Sequence, residues 1–185
     1  MNPYENCPIL EDERYRLRLL CESDADDLLR VYSDEKAVPL FNDDNCTGGF
    51  YFTAPEHMQG AIQFWLESYR RREFVRFTIV DKYAQQAVGT IELFNRRASD
   101  AFDNCAILRL DLRSDYEREE EIEAILSLIV PQTFDLFACG KIATKAIPTA
   151  LERIQALKKL GFAPSEEKLI GHDGMQYGHY HLLSK

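Results

Sequence analysis

The sequence predicts one mixed α/β domain, in which a mixed, largely antiparallel sheet of about seven strands is flanked by helices. Segments with alternating apolar and polar residues, typical of half-buried strands, occur between segments whose apolar residues repeat at helical spacing. The chain has 185 residues, 45% of them hydrophobic, which suits one domain with a substantial core. The predicted order of elements is β-α-α-β-β-β-α-β-α-β-β.

The first half of the chain supplies a strand, two helices and three further strands. Residues 15–19 alternate strictly, and a helix follows them. The second helix starts near Pro55, and its apolar residues fall at i, i+3, i+4, i+7, i+8 and i+11: Met58, Ala61, Ile62, Trp65, Leu66 and Tyr69. Strands are then predicted at residues 74–80, 87–94 and 104–112. We assign residues 1–13 to an N-terminal extension and residues 14–185 to the domain.

A long helix opens the second half of the chain and carries one apolar face: Ile122, Ile125, Leu126 and Ile129. Pro131 is expected to break or kink it. A short strand at 141–147 follows, and residues 149–152, TALE, form a potential capping box for the next helix. That helix is expected to bury Leu151, Ile154, Leu157 and Leu160. Two final strands are predicted near residues 167–170 and 175–183.

Composition narrows the functional classes. The formal net charge of -9 disfavours nucleic acid and anionic membranes as partners and mildly favours a cationic small molecule or peptide. Five irregularly spaced cysteines without a CxxC pair argue against a disulfide framework and a zinc finger. The N-terminus lacks the pattern of a signal peptide, and no apolar run is long enough for a membrane span. We therefore expect a cytoplasmic protein and no membrane partner.

Several segments resemble the GNAT superfamily of N-acetyltransferases, and most closely the branch of ribosomal-protein N-terminal and spermidine acetyltransferases. The segments are residues 17–20, LRLL, followed by a helix; 88–91, VGTI; 110–116, LDLRSDY; and 156–162, ALKKLGF. Each motif alone is weak, but their order and spacing match the family over roughly residues 14–184. The resemblance implies a GNAT-like fold and transfer of an acetyl group from acetyl-CoA to an amine.

The resemblance also implies where acetyl-CoA would bind. In the family, backbone N–H groups of a splayed fourth strand hold the pantetheine, a role that falls here on Leu110 and Leu112. The following loop and helix N-terminus bind the pyrophosphate, because free N–H groups and the helix dipole favour an anion. The matching positions of this sequence are Glu117, Arg118, Glu119, Glu120, Glu121 and Ile122.

The sequence departs from the family at this loop. The family pattern R/Q-x-x-G-x-G/A has glycines that let phosphate oxygens approach the backbone, whereas residues 115–123 contain six acidic side chains, one arginine and no glycine. Like charges would oppose a pyrophosphate there. Two further family positions that contact the cofactor fall at about Ala150 and Arg153, and the tyrosine that serves many members as general acid falls at Leu157.

The candidates for catalysis are two carboxylates on predicted strands. Glu92 lies near the expected substrate groove and could bind or deprotonate an amine, although a solvent-facing strand position is the commoner role. Asp111 lies at the splayed end of the fourth strand and could orient an amine, or could equally pair with Arg109 or Arg113. The glutamate that some family members use as a base corresponds to Ile107 or a neighbour.

Other candidates are weaker. Tyr177 and Tyr180 could line an acceptor pocket, and the acidic loop 42–52 could contact a cationic substrate. His179 and His181 are expected to share one face of a strand. With His172 they lie within ten residues, but no nearby cysteine or carboxylate is placed to complete a metal site. We therefore predict no metal.

Two functional hypotheses remain open on the sequence. The first is an N-acetyltransferase that moves acetyl from acetyl-CoA to a primary amine of a protein N-terminus, polyamine or small molecule by direct attack of the neutral amine. The second is a catalytically silent GNAT-like domain that has lost coenzyme A binding and binds a small ligand or a partner protein. The glutamates in place of loop glycines favour the second hypothesis, and the resemblance as a whole favours the first. A homodimer is left open.

Overall fold

The fold is a mixed α/β structure around one large sheet. The computed structural model describes residues 2–185. The sheet has eight strands, in the spatial order β1 (Leu10–Glu11), β2 (Tyr15–Leu19), β3 (Val75–Asp81), β4 (Gln86–Arg96), β5 (Cys105–Leu112), β6 (Lys141–Lys145), β10 (Tyr180–Ser184) and β7 (Ala163–Pro164). Neighbouring strands are antiparallel except for β5 and β6, which are parallel. The predicted fold class is thus confirmed.

Helices cover both faces of the sheet. The four helices are α1 (Ala25–Tyr32), α2 (Pro55–Arg70), α3 (Glu119–Leu136) and α4 (Leu151–Lys159). The apolar residues of α3 and α4 share a core with alternate residues of the central strands, and α1 packs with α2 in a second core. Helices therefore pack on both faces of the sheet, as expected of a layered α/β domain, while Ile107 and Ala143 of β5 and β6 pack against Phe102, Leu169 and Tyr180 instead. Along residues 2–185, no helix combines the length and hydropathy that a membrane crossing requires.

The sheet extends further toward the N-terminus than expected. β1 lies within the segment that we assigned to an N-terminal extension, and it pairs with β2 through Leu10 opposite Leu17 and Glu11 opposite Arg16. Tyr4 packs edge-on against Phe137, so the segment also contacts the region that follows α3.

A helix and a strand differ from their predicted continuity: α3 has no break, and the last strand is interrupted. Pro131 does not break α3, which continues to Leu136. Proline removes one bond to the carbonyl of residue 127, and both Pro131 and Ser127 are exposed, so water can satisfy that carbonyl. The last predicted strand is instead interrupted at His179, whose φ of 65° separates β9 (Gln176–Tyr177) from β10. β9 pairs with β8 (Leu169–Ile170) in a separate hairpin.

Three of the four residues predicted to be buried on α4 do pack against the core, but Leu151 does not. Leu151 is 67% exposed, and the buried residues of the helix are Arg153, Ala156 and Leu157. The spacing i, i+3, i+4 is still that of one helix face, but an arginine occupies the first position. An apolar pattern could not have shown this, because it counts arginine as a surface residue.

A substitution at Gly89 can test how closely β4 and β5 approach each other. A Cβ placed on Gly89 would lie 2.2 Å from the carbonyl oxygen of Asp111, a backbone atom that cannot move without shifting β5. We expect Gly89→Ala to lower the free energy of unfolding by about 1–3 kcal/mol, as overpacking does in other cores. Urea unfolding followed by circular dichroism measures the change.

Gly60 provides the matched control. It lies exposed in α2, and a Cβ there would meet no atom within 4 Å. Gly60→Ala should therefore raise the free energy of unfolding by up to about 1 kcal/mol through helix propensity. Equal stability of the Gly89→Ala variant and the parent would contradict the close approach of the two strands.

Candidate functional site

A wedge-shaped gap opens between the two parallel strands. β5 and β6 pair from Cys105 opposite Lys141 to Leu108 opposite Thr144, and their pairing ends there. β5 continues to Leu112, while β6 ends at Lys145. Residues 109–112 therefore lack a strand partner on this side, and their backbone polar groups need other partners if they are buried.

The buried side chain of Arg153 enters this gap from α4. Its Nη1 donates hydrogen bonds to the carbonyl oxygens of Leu110 and Leu40, each at 3.0 Å. Its Nε and Nη2 donate to the two carboxylate oxygens of Glu117 at 2.7 and 2.8 Å, a bidentate ion pair. The side chains of Arg153 and Glu117 are 2% and 8% exposed. This pair connects α4, the end of β5 and the segment that leads into α3.

The chain also supplies an anion to the N-terminus of α3. The backbone N–H of Glu119 donates to a carboxylate oxygen of Glu152 at 2.8 Å. The predicted capping box at 149–152 is therefore wrong: Ala150 is the N-cap of α4 without a side-chain hydrogen bond, and Glu152 points to the neighbouring helix. A negative group at this end of α3 is favoured by the helix dipole.

The remaining acidic residues of the α3 start have different environments. Glu121 is buried, accepts hydrogen bonds from Tyr15 and Arg14, and pairs with Arg118 at 2.6 Å. Lys159 lies 2.6 Å from Glu119 and 3.2 Å from Glu123. Glu120 is exposed and forms no ion pair within residues 2–185, and Ile122 is buried in the core. Most of the carboxylates near the predicted cofactor loop are thus held by cations of the same chain.

Glu92 and Asp111 belong to a buried network around Arg76. Arg76 forms ion pairs with Glu92 and, at 3.2 Å, with Asp111, and its guanidinium lies 4.0 Å from the centre of the Trp65 ring. Arg109 adds a second ion pair to Glu92 at 2.9 Å. The hydroxyl of Tyr32 donates to Asp111 at 2.7 Å.

Both carboxylates are buried in this network, and one oxygen of Asp111 has no hydrogen-bond partner within it. Glu92 is 2% exposed and Asp111 is 1% exposed. Burial raises the pKa of Asp111 above its ordinary value, although Arg76 opposes the shift. A general base must reach the proton that it removes, whereas these groups are enclosed by arginine and tyrosine side chains. Their predicted roles in catalysis stay predictions.

The segment between α1 and α2 spans the gap as well. Asp44 is buried, and its carboxylate accepts from Lys145 of β6 at 2.5 Å and from the hydroxyl of Tyr180 at 3.0 Å. Its carbonyl oxygen accepts from Arg109 of β5 at 2.7 Å. The loop predicted as an acidic substrate contact therefore connects the two diverging strands.

Next to this loop lies a cavity of about 280 Å³, walled on one side by the β8–β9 hairpin. Its buried lining includes Ile107, Leu169 and Tyr180, and its exposed lining includes Arg97, Ile170 and His172. Tyr180 was predicted to line a pocket and lies here. His179 and His181 do not share a face, since His179 is exposed and His181 is buried.

The hairpin wall is fixed by specific contacts. Arg96 donates to the carbonyl oxygen of Ile170 at 2.8 Å, and its ion-pair partner Asp100 accepts from the Ile170 N–H at 3.0 Å. The side chain of Asn45 accepts from the N–H of His172 at 3.1 Å. A Cβ on Gly171 would lie 2.6 Å from the same Asn45 oxygen. The wall is therefore tightly docked, and a larger residue at position 171 would require the side chain of Asn45 to move.

Several residues of the site were not predicted from the sequence. Arg76 was not singled out, although a charged residue within an apolar strand, VRFTIV, is a signal of a buried network. Arg153 was noted only because it replaces a family residue. Asp44 and Lys145 meet across 101 positions of sequence, a pairing that no local pattern predicts.

Solved structures show which fold this is. The chain superimposes on a ribosomal-protein-S5-alanine acetyltransferase from Vibrio fischeri with a TM-score of 0.70, at 19% identity over 96% of each chain. It matches a GNAT-family acetyltransferase from Bacillus anthracis at 0.69, with 10% identity over 96% of this chain and 98% of the other. A ribosomal L7/L12 α-N-protein acetyltransferase in complex with coenzyme A gives 0.71, with 12% identity over 96% and 98%.

These comparisons establish that the chain has the fold of the GNAT acetyltransferases. No protein-family model matches the sequence, and neither does any curated protein. At identities of 10–19% the likeness concerns the fold alone. The resemblance noted in the sequence is thereby confirmed at the level of the fold.

Two backbone groups at the position where the resemblance implies acetyl-CoA are bonded to side chains of the chain itself. The carbonyl oxygen of Leu110 accepts a hydrogen bond from Arg153. The first amide of α3, that of Glu119, donates a hydrogen bond to Glu152. Arg153 already balances the charge of Glu117. A pyrophosphate that bound near Glu117 would have to displace this buried ion pair.

The Arg153–Glu117 pair can be tested by a double-mutant cycle. Loss of either partner leaves a buried charge without its counter-ion, so Arg153→Met and Glu117→Leu should each lower the free energy of unfolding by about 3–5 kcal/mol. The double variant should lose less than the sum of the two losses. Urea unfolding of all four proteins measures the coupling.

The control is the surface pair Lys159–Glu119, whose side chains are 52% and 31% exposed. The cycle of Lys159→Met and Glu119→Leu should give a coupling below about 1 kcal/mol. Additive losses at positions 153 and 117 would show that the two side chains do not interact.

Asp100 provides a pH test of the hairpin wall. Its hydrogen bonds from Arg96 lower the pKa of Asp100 from 3.8 to about 2. A lowered folded-state pKa means that its contribution to stability is complete above about pH 4 and is lost as the pH falls toward 2. The stability difference between the parent and Asp100→Asn should therefore shrink across that interval.

Denaturant unfolding at several pH values measures this difference. Asp26→Asn is the control, since that carboxylate is exposed and accepts no hydrogen bond from residues 2–185. A stability difference between parent and Asp100→Asn that stays constant from pH 5 to about pH 2 would contradict the ion pair with Arg96.

Proposed function

We propose that this chain is a catalytically silent domain of the GNAT fold, which does not use acetyl-CoA and instead binds a small ligand. The observation that carries the proposal is the buried Arg153–Glu117 ion pair in the gap between β5 and β6. In the acetyltransferases that the sequence resembles, this gap and the following helix hold the cofactor. Here the same atoms are bonded to side chains of the chain itself.

Two further observations support the proposal. Glu92 and Asp111, the candidates for an amine-binding or proton-accepting role, are enclosed by arginines. The loop before α3 contains no glycine that would let phosphate oxygens approach the backbone. The cavity beside the hairpin is not lined by Arg153 or Glu117, so a ligand there would not have to separate that ion pair.

A second candidate function is the acetyl-CoA-dependent N-acetylation of a primary amine on a peptide, polyamine or small molecule. One observation favours it: β5 and β6 still diverge beyond Leu108 and Thr144, so the framework of a cofactor site persists. This function would require Arg153 and Glu117 to separate when acetyl-CoA binds. Leu110, Leu112 and the segment 117–122 would then contact the cofactor as predicted.

Thermal unfolding with acetyl-CoA and with coenzyme A separates the two candidates. A ligand at a hundred times its dissociation constant stabilises the folded state by about 2.7 kcal/mol, which shifts the Tm of a chain of this size by roughly 5–10 °C. We expect no shift for the parent at millimolar cofactor. A shift of that size, with acetylation of an amine, would refute the proposal and establish the second candidate.

A variant protein shows whether the ion pair is the obstacle. The double variant Arg153→Ser/Glu117→Gly removes both charges and introduces a glycine, so it should gain a Tm shift with coenzyme A that the parent lacks. Glu67→Gly/Arg71→Ser, an exposed pair of the same residue types at the C-terminal end of α2, is the control and should gain none. Absence of a gain in the first variant would mean that other groups exclude the cofactor.

A further inference from the structure

The charge of the cavity beside the hairpin can be assigned from its ion pairs. Two of its arginines are neutralised: Arg96 by Asp100 at 2.5 Å and Arg109 by Glu92 at 2.9 Å. The carboxylate of Asp44 is paired with Lys145. Arg97 forms no ion pair with any residue between 2 and 185, although its charge acts at longer range on the exposed carboxylate of Asp103, so it is the lining cation that a ligand can pair with.

The lining is also divided by exposure. Ile107, Leu169 and the ring of Tyr180 are buried and form an apolar base, whereas Arg97 and His172 are exposed at the opening. A volume of about 280 Å³ lies at the lower end of the range for ligand pockets, which suits a molecule smaller than most drugs. A ligand with a short apolar body and one charged end matches this arrangement.

We propose that the cavity binds a small organic anion, with a carboxylate at Arg97 and an apolar body against Ile107, Leu169 and Tyr180. A guanidinium binds a carboxylate through charge-assisted hydrogen bonds. An amine would meet Arg97 as a like charge, and the carboxylate of Asp44 is already bonded to Lys145 and Tyr180. The ligand of this cavity is therefore opposite in charge to the amines that GNAT acetyltransferases acetylate.

This inference rests on the proposed function, because a binding domain needs a ligand site outside the filled gap. Three probes of one shape test it: 3-phenylpropanoate, 3-phenylpropanamide and 3-phenylpropylamine. Titration calorimetry or chemical-shift mapping should show the carboxylate binding at least about tenfold more tightly than the amide, a difference of about 1.4 kcal/mol. The amine should bind more weakly still.

Substitutions at Arg97 make the test specific. Arg97→Gln should remove the preference for the carboxylate over the amide, and Arg97→Glu should reverse the order so that the amine binds best. Arg97 is exposed and forms no ion pair with residues 2–185, so both variants should fold like the parent. Arg70→Gln, an exposed arginine of α2 that does not line the cavity, should leave all three affinities unchanged.

The outcomes separate this inference from the proposed function. Equal binding of the three probes, tighter binding of the amine by the parent, or no binding of any probe at millimolar concentration would overturn the inference. None of these results touches the proposed function, which fails only if acetyl-CoA binds and acetyl transfer to an amine is detected by mass spectrometry.

Discussion

The structure depends on how the gap between two parallel strands is filled. Where β5 and β6 diverge, the backbone of β5 loses its ladder partners, and buried carbonyl groups without partners are costly. Arg153 meets this requirement with one side chain: it bonds the carbonyl of Leu110, the carbonyl of Leu40 and both oxygens of Glu117. Glu117 balances the charge that the arginine brings into the core, so the two residues depend on each other.

The other buried carboxylates of the site also form ion pairs with cations of the chain. Glu92 and Asp111 converge on Arg76, and Asp44 pairs with Lys145. Each buried negative charge near the gap thus has a cation of the chain as its partner. The consistent internal pairing is the physical basis for regarding the gap as structural.

The sequence predicted the fold well and the site only in part. Periodicity located the main strands and helices because burial of one face imposes it locally, as in Tyr15–Leu19 and α2. The acidic α3 start was also visible, since the glutamates are consecutive. Their partners were not predictable, because Arg153 and Glu117 meet across 36 positions and Glu152 bonds to Glu119 of another helix. The exposed Leu151 and the left-handed His179 depend equally on tertiary contacts.

The net charge of the chain and the charge of the cavity lining point to different ligands. The formal charge of -9 suggested a cationic ligand, yet the cavity beside the hairpin has an arginine that a ligand can pair with. Charges on an exposed surface are screened within about 8–10 Å, so the distant acidic residues contribute little at Arg97. The sign of a binding site is set by which of its own charges lack partners. In this chain Asp44, the carboxylate of the lining, is held by Lys145, whereas Arg97 forms no ion pair with residues 2–185, and this difference is the basis for proposing a negatively charged ligand.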